Sequence, residues 1–194
     1  MPGYSFSLSP ALCKTGSILR KLPNTPCSTC YAYRGNYSRP TVKTALDARL
    51  KGWKNDPDWV LLMTIRLLYL SIKHQYFRVF DAGDLVSVKM LEDINQVAQN
   101  INPYVFVWLP TQERAYVKAF TGTFSSNLTV RISSTKVDEI QTSTIPGVVN
   151  SSVSTTNNLS KGAFLCPSRN QQNKCGLCRA CWDLNQKQIV YQKH

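Results

Sequence analysis

The sequence predicts an α/β protein, built as a partial (β/α) barrel or as an open, largely parallel sheet. From Tyr76 to Ser133 strand-like and helix-like segments alternate, and such alternation builds parallel sheets with ligand-binding groups at the C-terminal ends of the strands. At 194 residues the chain is shorter than the roughly 250 residues of a complete eight-stranded barrel. That length suits one domain, 1–194, whose core needs no cross-links. The seven cysteines nevertheless occupy only the two ends, Cys13, Cys27 and Cys30 in one segment and Cys166, Cys175, Cys178 and Cys181 in the other.

Taken in order, Tyr4 to Leu8 alternates apolar and polar residues, as a short strand does, and Pro10 stops it. Gly16, Pro23, Pro26, Gly35 and Pro40 punctuate the cysteine segment 13–40, so Cys27 and Cys30 are expected on a loop or a single turn. Val42, Ala45, Leu46, Arg49 and Trp53 recur at helical spacing, and Asp56-Pro57 supplies an N-cap and a first-turn proline for a second helix through Lys73. There follow a strand at Tyr76–Phe80, a capped helix at Ser87–Asn100, a strand at Tyr104–Leu109, a short helix at Gln112–Phe120 and a strand at Leu128–Ser133. The Ser-, Thr- and Asn-rich stretch from Gln141 to Ser160 reads as a surface connection or irregular hairpin. It delivers the cysteine segment 161–194, in which Ile189 to Tyr191 suits a short edge strand.

Composition narrows the class. At 43% hydrophobic and 18% charged the chain resembles an ordinary globular protein. Met1 to Leu12 lacks the pattern of a signal peptide, and the apolar run Trp59–Ile72 is broken by Arg66 and too short to span a bilayer. A reducing host cytosol with no membrane partner is therefore expected, and the Asn-x-Ser/Thr sequences at Asn36, Asn127, Asn150 and Asn158 carry no glycosylation signal there. The net charge of +12 is unevenly spread: residues 13–54 carry +8, residues 161–194 carry +5, and the intervening 55–160 carry −1. Part of that positive charge suits buried dianionic clusters. The rest favours an anionic partner such as nucleic acid or a nucleotide, against the plainer reading of a solvated basic surface.

An odd cysteine count excludes a complete set of internal disulfides. Cys175-Gly-Leu-Cys178-Arg-Ala-Cys181 has the CxxCxxC spacing that wraps three thiolates around a 4Fe-4S cluster, and Cys166-Pro167 offers a fourth. Structural zinc, or free or disulfide-bonded cysteines, are the alternatives for this quartet. Cys13, Cys27 and Cys30 have no fourth cysteine nearby, so a 4Fe-4S cluster there leaves one iron open to substrate or cofactor. Alternatively, one ligand comes from the C-terminal set and a single four-cysteine site closes. Asp81, Gly83 and Asp84 at a strand end suit proton transfer or the grip of an amino or hydroxyl group, and equally suit turn formation. Arg114 and Arg131, with Thr111, Ser133 and Ser134, are candidates to clamp a carboxylate or phosphate. Trp108 reads as core, while Tyr31 and Tyr33 are candidates to stack on a base. His74 reads as structural and His194 as terminal. No P-loop, GxGxxG or Ser/His/Asp arrangement is present.

Cys13-Lys-Thr-Gly-Ser17, Cys27-Ser-Thr-Cys-Tyr-Ala32, Phe80-Asp-Ala-Gly-Asp84, Trp108-Leu-Pro-Thr111 and the C-terminal cysteine run together resemble the bacteriophage gene product 88 family, from about Pro2 to His194. The resemblance implies a phage-encoded protein with cysteines as its signature, and it brings no assigned reaction. A looser resemblance is to radical S-adenosylmethionine enzymes, in which a three-cysteine loop after the first strand holds the cluster and a glycine-acid motif receives the amino group of S-adenosylmethionine. By position Asp84 is the counterpart acid and Arg131 the partner of the carboxylate. The spacing departs from theirs, with thirteen residues between Cys13 and Cys27 in place of CxxxCxxC.

The expected function is that of an iron-sulfur protein, with one 4Fe-4S cluster or two, performing redox, radical or sulfur-transfer chemistry on a nucleotide, nucleic acid or other anionic substrate. The alternatives are a zinc-clipped nucleic-acid-binding module and a phage structural or host-interaction protein.

Overall fold

In the computed structural model, which describes residues 2–156 and 161–193, the N-terminal strand β1 (Tyr4–Phe6) leads into the cysteine loop and its short helix α1 (Lys14–Leu19). Two longer helices follow, α2 (Pro40–Asn55) and α3 (Trp59–Ser71). Pro40 opens α2, where a missing N–H costs nothing. The next helix begins two residues later than the Asp56-Pro57 signal suggests. The Asp56 carboxylate accepts the Asp58 N–H at 2.9 Å, so it caps the turn before the helix instead of the helix itself.

Regular alternation then begins with β2 (Tyr76–Val79), α4 (Val88–Ile101), β3 (Phe106–Thr111), α5 (Arg114–Ala119) and β4 (Leu128–Val137). Ser87 caps α4, its hydroxyl accepting the Met90 N–H at 3.2 Å. The chain continues through β5 (Val148–Ser154), β6 (Phe164–Leu165) and β7 (Gln188–Gln192). All seven strands are parallel and form one open sheet in the order β1-β2-β3-β4-β5-β7-β6. Of the two architectures expected, the open sheet is the one adopted.

Two elements correct the sequence reading. The stretch expected to be a surface connection contains β5, whose Asn150, Ser151, Ser152 and Ser154 are buried despite their polarity. They are satisfied internally: Ser152 accepts from Gln188 at 3.0 Å, Ser151 pairs with Ser133 at 3.2 Å, and Ser154 donates to Asp138 at 2.7 Å. The last strand, β7, is also not an edge, because β6 pairs outside it. The Asn158 sequon, the end of the 141–160 stretch and His194 lie outside the described residues.

The two faces of the sheet are covered differently. Phe77, Val79, Val107, Leu109, Val130 and Ile132 pack with Met90, Leu91, Ile94 and Ala98 of α4 to form the main apolar core, each large side chain contributing roughly 2 kcal/mol on burial. The opposite face carries Arg78, Trp108, Thr129 and Arg131, and the C-terminal cysteine segment covers it through Trp182. No helix among the described residues is long and apolar enough to cross a membrane.

Candidate active site

A cavity of about 620 Å³ lies over the C-terminal ends of the strands. The cysteine loop roofs it, and Cys13, Cys27 and Cys30 all line it. Three sets of side chains pin the roof down. Thr15 donates both its N–H and its hydroxyl to the buried carboxylate of Glu113, each at 2.7 Å. Tyr33 donates to the Pro10 carbonyl at 2.8 Å, and Tyr31 and Tyr37 both donate to Asp81, at its carbonyl and its carboxylate respectively.

These anchors explain the Cys13-Lys-Thr-Gly sequence physically. Thr15 holds the loop on the sheet. Gly16 gives the sulfurs room, because a Cβ there would stand 3.0 Å from the Cys13 Cβ and 3.8 Å from the sulfurs of both Cys13 and Cys27. Burial pushes the Cys27 thiol up to about 12, with Cys30, Asp84 and Glu113 raising it further. Burial raises Cys13 more strongly still, again with Asp84 and the neighbouring thiols adding. Every charged group that acts on these two thiols is an acid or another thiol, while the cations of the cavity, Arg78 and Lys193, stand elsewhere on its lining. Among the described residues no three His, Cys, Asp or Glu side chains converge tightly enough for a single metal ion.

Asp84 forms the floor. It is buried and accepts from the Leu85 N–H at 2.8 Å, the Thr111 hydroxyl at 2.6 Å and the Gln112 N–H at 2.8 Å. Burial pushes its carboxyl up to about 7 against the pull of those three hydrogen bonds. They occupy most of its acceptor capacity, so the Asp84 carboxyl is held rigidly and is tied through the Thr111 hydroxyl to the Glu113 N–H. Asp81 is different: its Oδ2 receives the Tyr37 hydroxyl, while its Oδ1 is buried with no partner. Between these acids Gly83 adopts φ +79, and a Cβ there would meet the Leu8 carbonyl oxygen at 2.6 Å. Gly83 therefore serves the close approach of two chain segments.

The C-terminal cysteines lie behind the wall of the cavity, and none of the four lines it. Cys166, Cys175 and Cys181 are near enough to act on one another electrostatically, and burial pushes the Cys181 thiol up to about 11. Cys178 shares their turn, its N–H donating to the Cys175 carbonyl at 3.0 Å. Tyr191 links the two compartments, since it lines the cavity and its hydroxyl lies 3.3 Å from the Cys181 sulfur. Arg131 anchors this segment. Its fully buried guanidinium donates to the carbonyls of Asn150 at 2.8 Å, Gln186 at 2.9 Å, Asp183 at 3.2 Å and Ala180 at 3.3 Å. Arg114 donates to the Ser133 carbonyl at 2.7 Å and to Gln141. Neither arginine lines the cavity, whereas Ser133 and Gly83 do.

The family model described as Gene product 88 matches residues 1–189 of the chain. The chain belongs to this family. No curated protein and no solved structure matches it. In this gene product 88 protein the motifs behind the resemblance converge on one cavity: the two N-terminal cysteine motifs roof it, Phe80–Asp84 floors it, and Trp108–Thr111 lines its side. The C-terminal run stands behind and supports it, with the Trp182 ring edge-on to Trp108 at 5.3 Å.

Sequence reasoning missed two residues of the site. Arg78 lines the cavity, with its guanidinium 4.5 Å from the centre of the Trp108 ring. Its signal was available, since a lone arginine interrupts the apolar strand Tyr76-Phe-Arg-Val. Glu113 gave no such signal, because an acid at the start of a helix ordinarily faces solvent.

Proposed function

We propose that this protein is an iron-sulfur enzyme with two compartments. Cys13, Cys27 and Cys30 hold a 4Fe-4S cluster with one iron facing the cavity, and Cys166, Cys175, Cys178 and Cys181 hold a second, closed cluster. The observation that carries the reading is the division of the thiols: the three that lack a fourth partner are the three that line the cavity. In such a cluster each thiolate ligates a different iron, so its ligands stand farther apart than the four thiolates around one zinc.

When bound, the open cluster supplies a redox centre with one iron available to a substrate or to a cofactor such as S-adenosylmethionine. The chain's own groups bind and orient. Asp81 presents an unpaired Oδ1 suited to an amino or hydroxyl proton. Arg78 offers a cation held against Trp108. Thr111 and Gln112 fix Asp84 beneath the thiols.

Anaerobic purification with iron and acid-labile sulfide assays tests the reading. The expected result is a coloured protein with iron and sulfide in equal amounts. A colourless protein carrying stoichiometric zinc and no sulfide contradicts it and favours a zinc-clipped binding module.

A further inference from the structure

A second cavity, of about 390 Å³, opens on the outer side of the cysteine loop and is lined by Ser17, Arg20, Lys21, Ser28 and Tyr33. No acid lines it. The Arg20 guanidinium lies over the Tyr33 ring, 3.8 Å from its centre, a contact that uses the face of the group and none of its N–H donors. Among the described residues the one salt bridge is Lys89–Asp93, so neither Arg20 nor Lys21 is neutralised by the protein. Two cations and the Ser17 hydroxyl around a concave space form the donor set of a phosphate site.

Its position gives the site meaning. Tyr33 lines this pocket and also the cysteine cavity, so a ligand held by a phosphate beside Arg20 extends over Tyr33 toward the thiols. The exposed Tyr31 ring also lines the cysteine cavity, and bases stack on such rings without regard to sequence. All nine Lys and Arg of residues 13–54 are exposed, and Arg20 and Lys21 are the two that line this pocket.

We propose that the Arg20–Lys21 pocket binds a phosphate of a nucleotide-bearing substrate, free or as part of a single strand, whose base enters the cysteine cavity. The assignment of the reacting end rests on the iron-sulfur reading above; the phosphate site itself does not.

The test uses the full-length protein and a labelled single-stranded oligonucleotide, followed by fluorescence anisotropy at several salt concentrations. Replacing both Arg20→Ala and Lys21→Ala is expected to weaken binding about tenfold and to lower the slope of log K against log salt by about 1.4. The control, Lys51→Ala with Lys54→Ala, removes the same charge from the exposed side of α2 and is expected to change binding less than about twofold in affinity. Displacement by a nucleoside monophosphate identifies a mononucleotide site, and resistance to it identifies a strand. Equal weakening by both double variants, or no binding of either probe by the wild type, overturns the proposal. Iron and sulfide are measured on the same samples, so loss of the cluster and loss of the phosphate site are read separately.

Discussion

Thr15→Val removes one hydroxyl and leaves the shape of the side chain unchanged. In the native protein that hydroxyl donates to a buried Glu113 oxygen at 2.7 Å, while the Thr15 N–H holds the other oxygen. A hydrogen bond to a charged group contributes about 1.5–3 kcal/mol, and an isosteric change opens no cavity, so the expected loss is about 2 kcal/mol. For a chain of this size that lowers Tm by roughly 4–8 °C. The loss also has a location, since Thr15 lies two residues from Cys13 and is the tie between cysteine loop and strand ends. Metal-free Thr15→Val is therefore expected to react several-fold faster than wild type with a thiol reagent at Cys13, Cys27 and Cys30, with the C-terminal four unchanged. Thr15→Ser, which keeps the hydroxyl, is expected to restore slow labelling. The reasoning is refuted if Thr15→Val keeps the wild-type Tm and labelling rate, or if all seven thiols accelerate together.

Three further outcomes follow from particular contacts. Gly83→Ala puts a Cβ 2.6 Å from the Leu8 carbonyl oxygen at φ +79, and thermal melts are expected to show a loss of about 3 kcal/mol or more. Arg131→Met leaves the carbonyls of Asn150, Ala180, Asp183 and Gln186 without their donor; it is expected to cost about 3 kcal/mol and to expose Cys181 to labelling first. Asp84 has a folded pKa raised from 3.8 to about 7, so the folded state holds its proton where the unfolded state has lost it. Its contribution is complete below about pH 4 and is lost as pH rises through about 7, a slope of up to about 1.4 kcal/mol per pH unit in urea titrations of the metal-free protein that Asp84→Asn removes.

Alternation of strand and helix was legible because β2, α4, β3 and β4 each carry an apolar face of the right period, and because Ser87 caps as its sequence indicates. β5 was illegible for a physical reason: its hydroxyls are paired with β4, β7 and the turn at Asp138, and a polar sequence does not reveal that its partners lie elsewhere in the fold. The same kind of error moved Arg131. The sequence reading ends its strand near Ser133, which puts Arg131 at the rim. The strand runs on to Val137, and Arg131 is an interior residue bonded to the C-terminal segment. Asp81 and Asp84 were legible as a pair at a strand end, but their division of labour depends on Thr111, Gln112 and Tyr37, contributed by distant elements. The grouping of cysteines into three and four was visible in the sequence. Which group faces a cavity depended on the fold.

On the iron-sulfur reading proposed above, the two cysteine groups are separate sites with separate roles. Iron and acid-labile sulfide content of anaerobically prepared wild type, Cys30→Ser and Cys178→Ser tests it most directly. The expected result is that each substitution removes about half of the iron and sulfide, with the cluster left in Cys178→Ser the one whose spectrum responds to an added ligand. Loss of all iron in both variants means that the seven cysteines form a single site, and contradicts the claim.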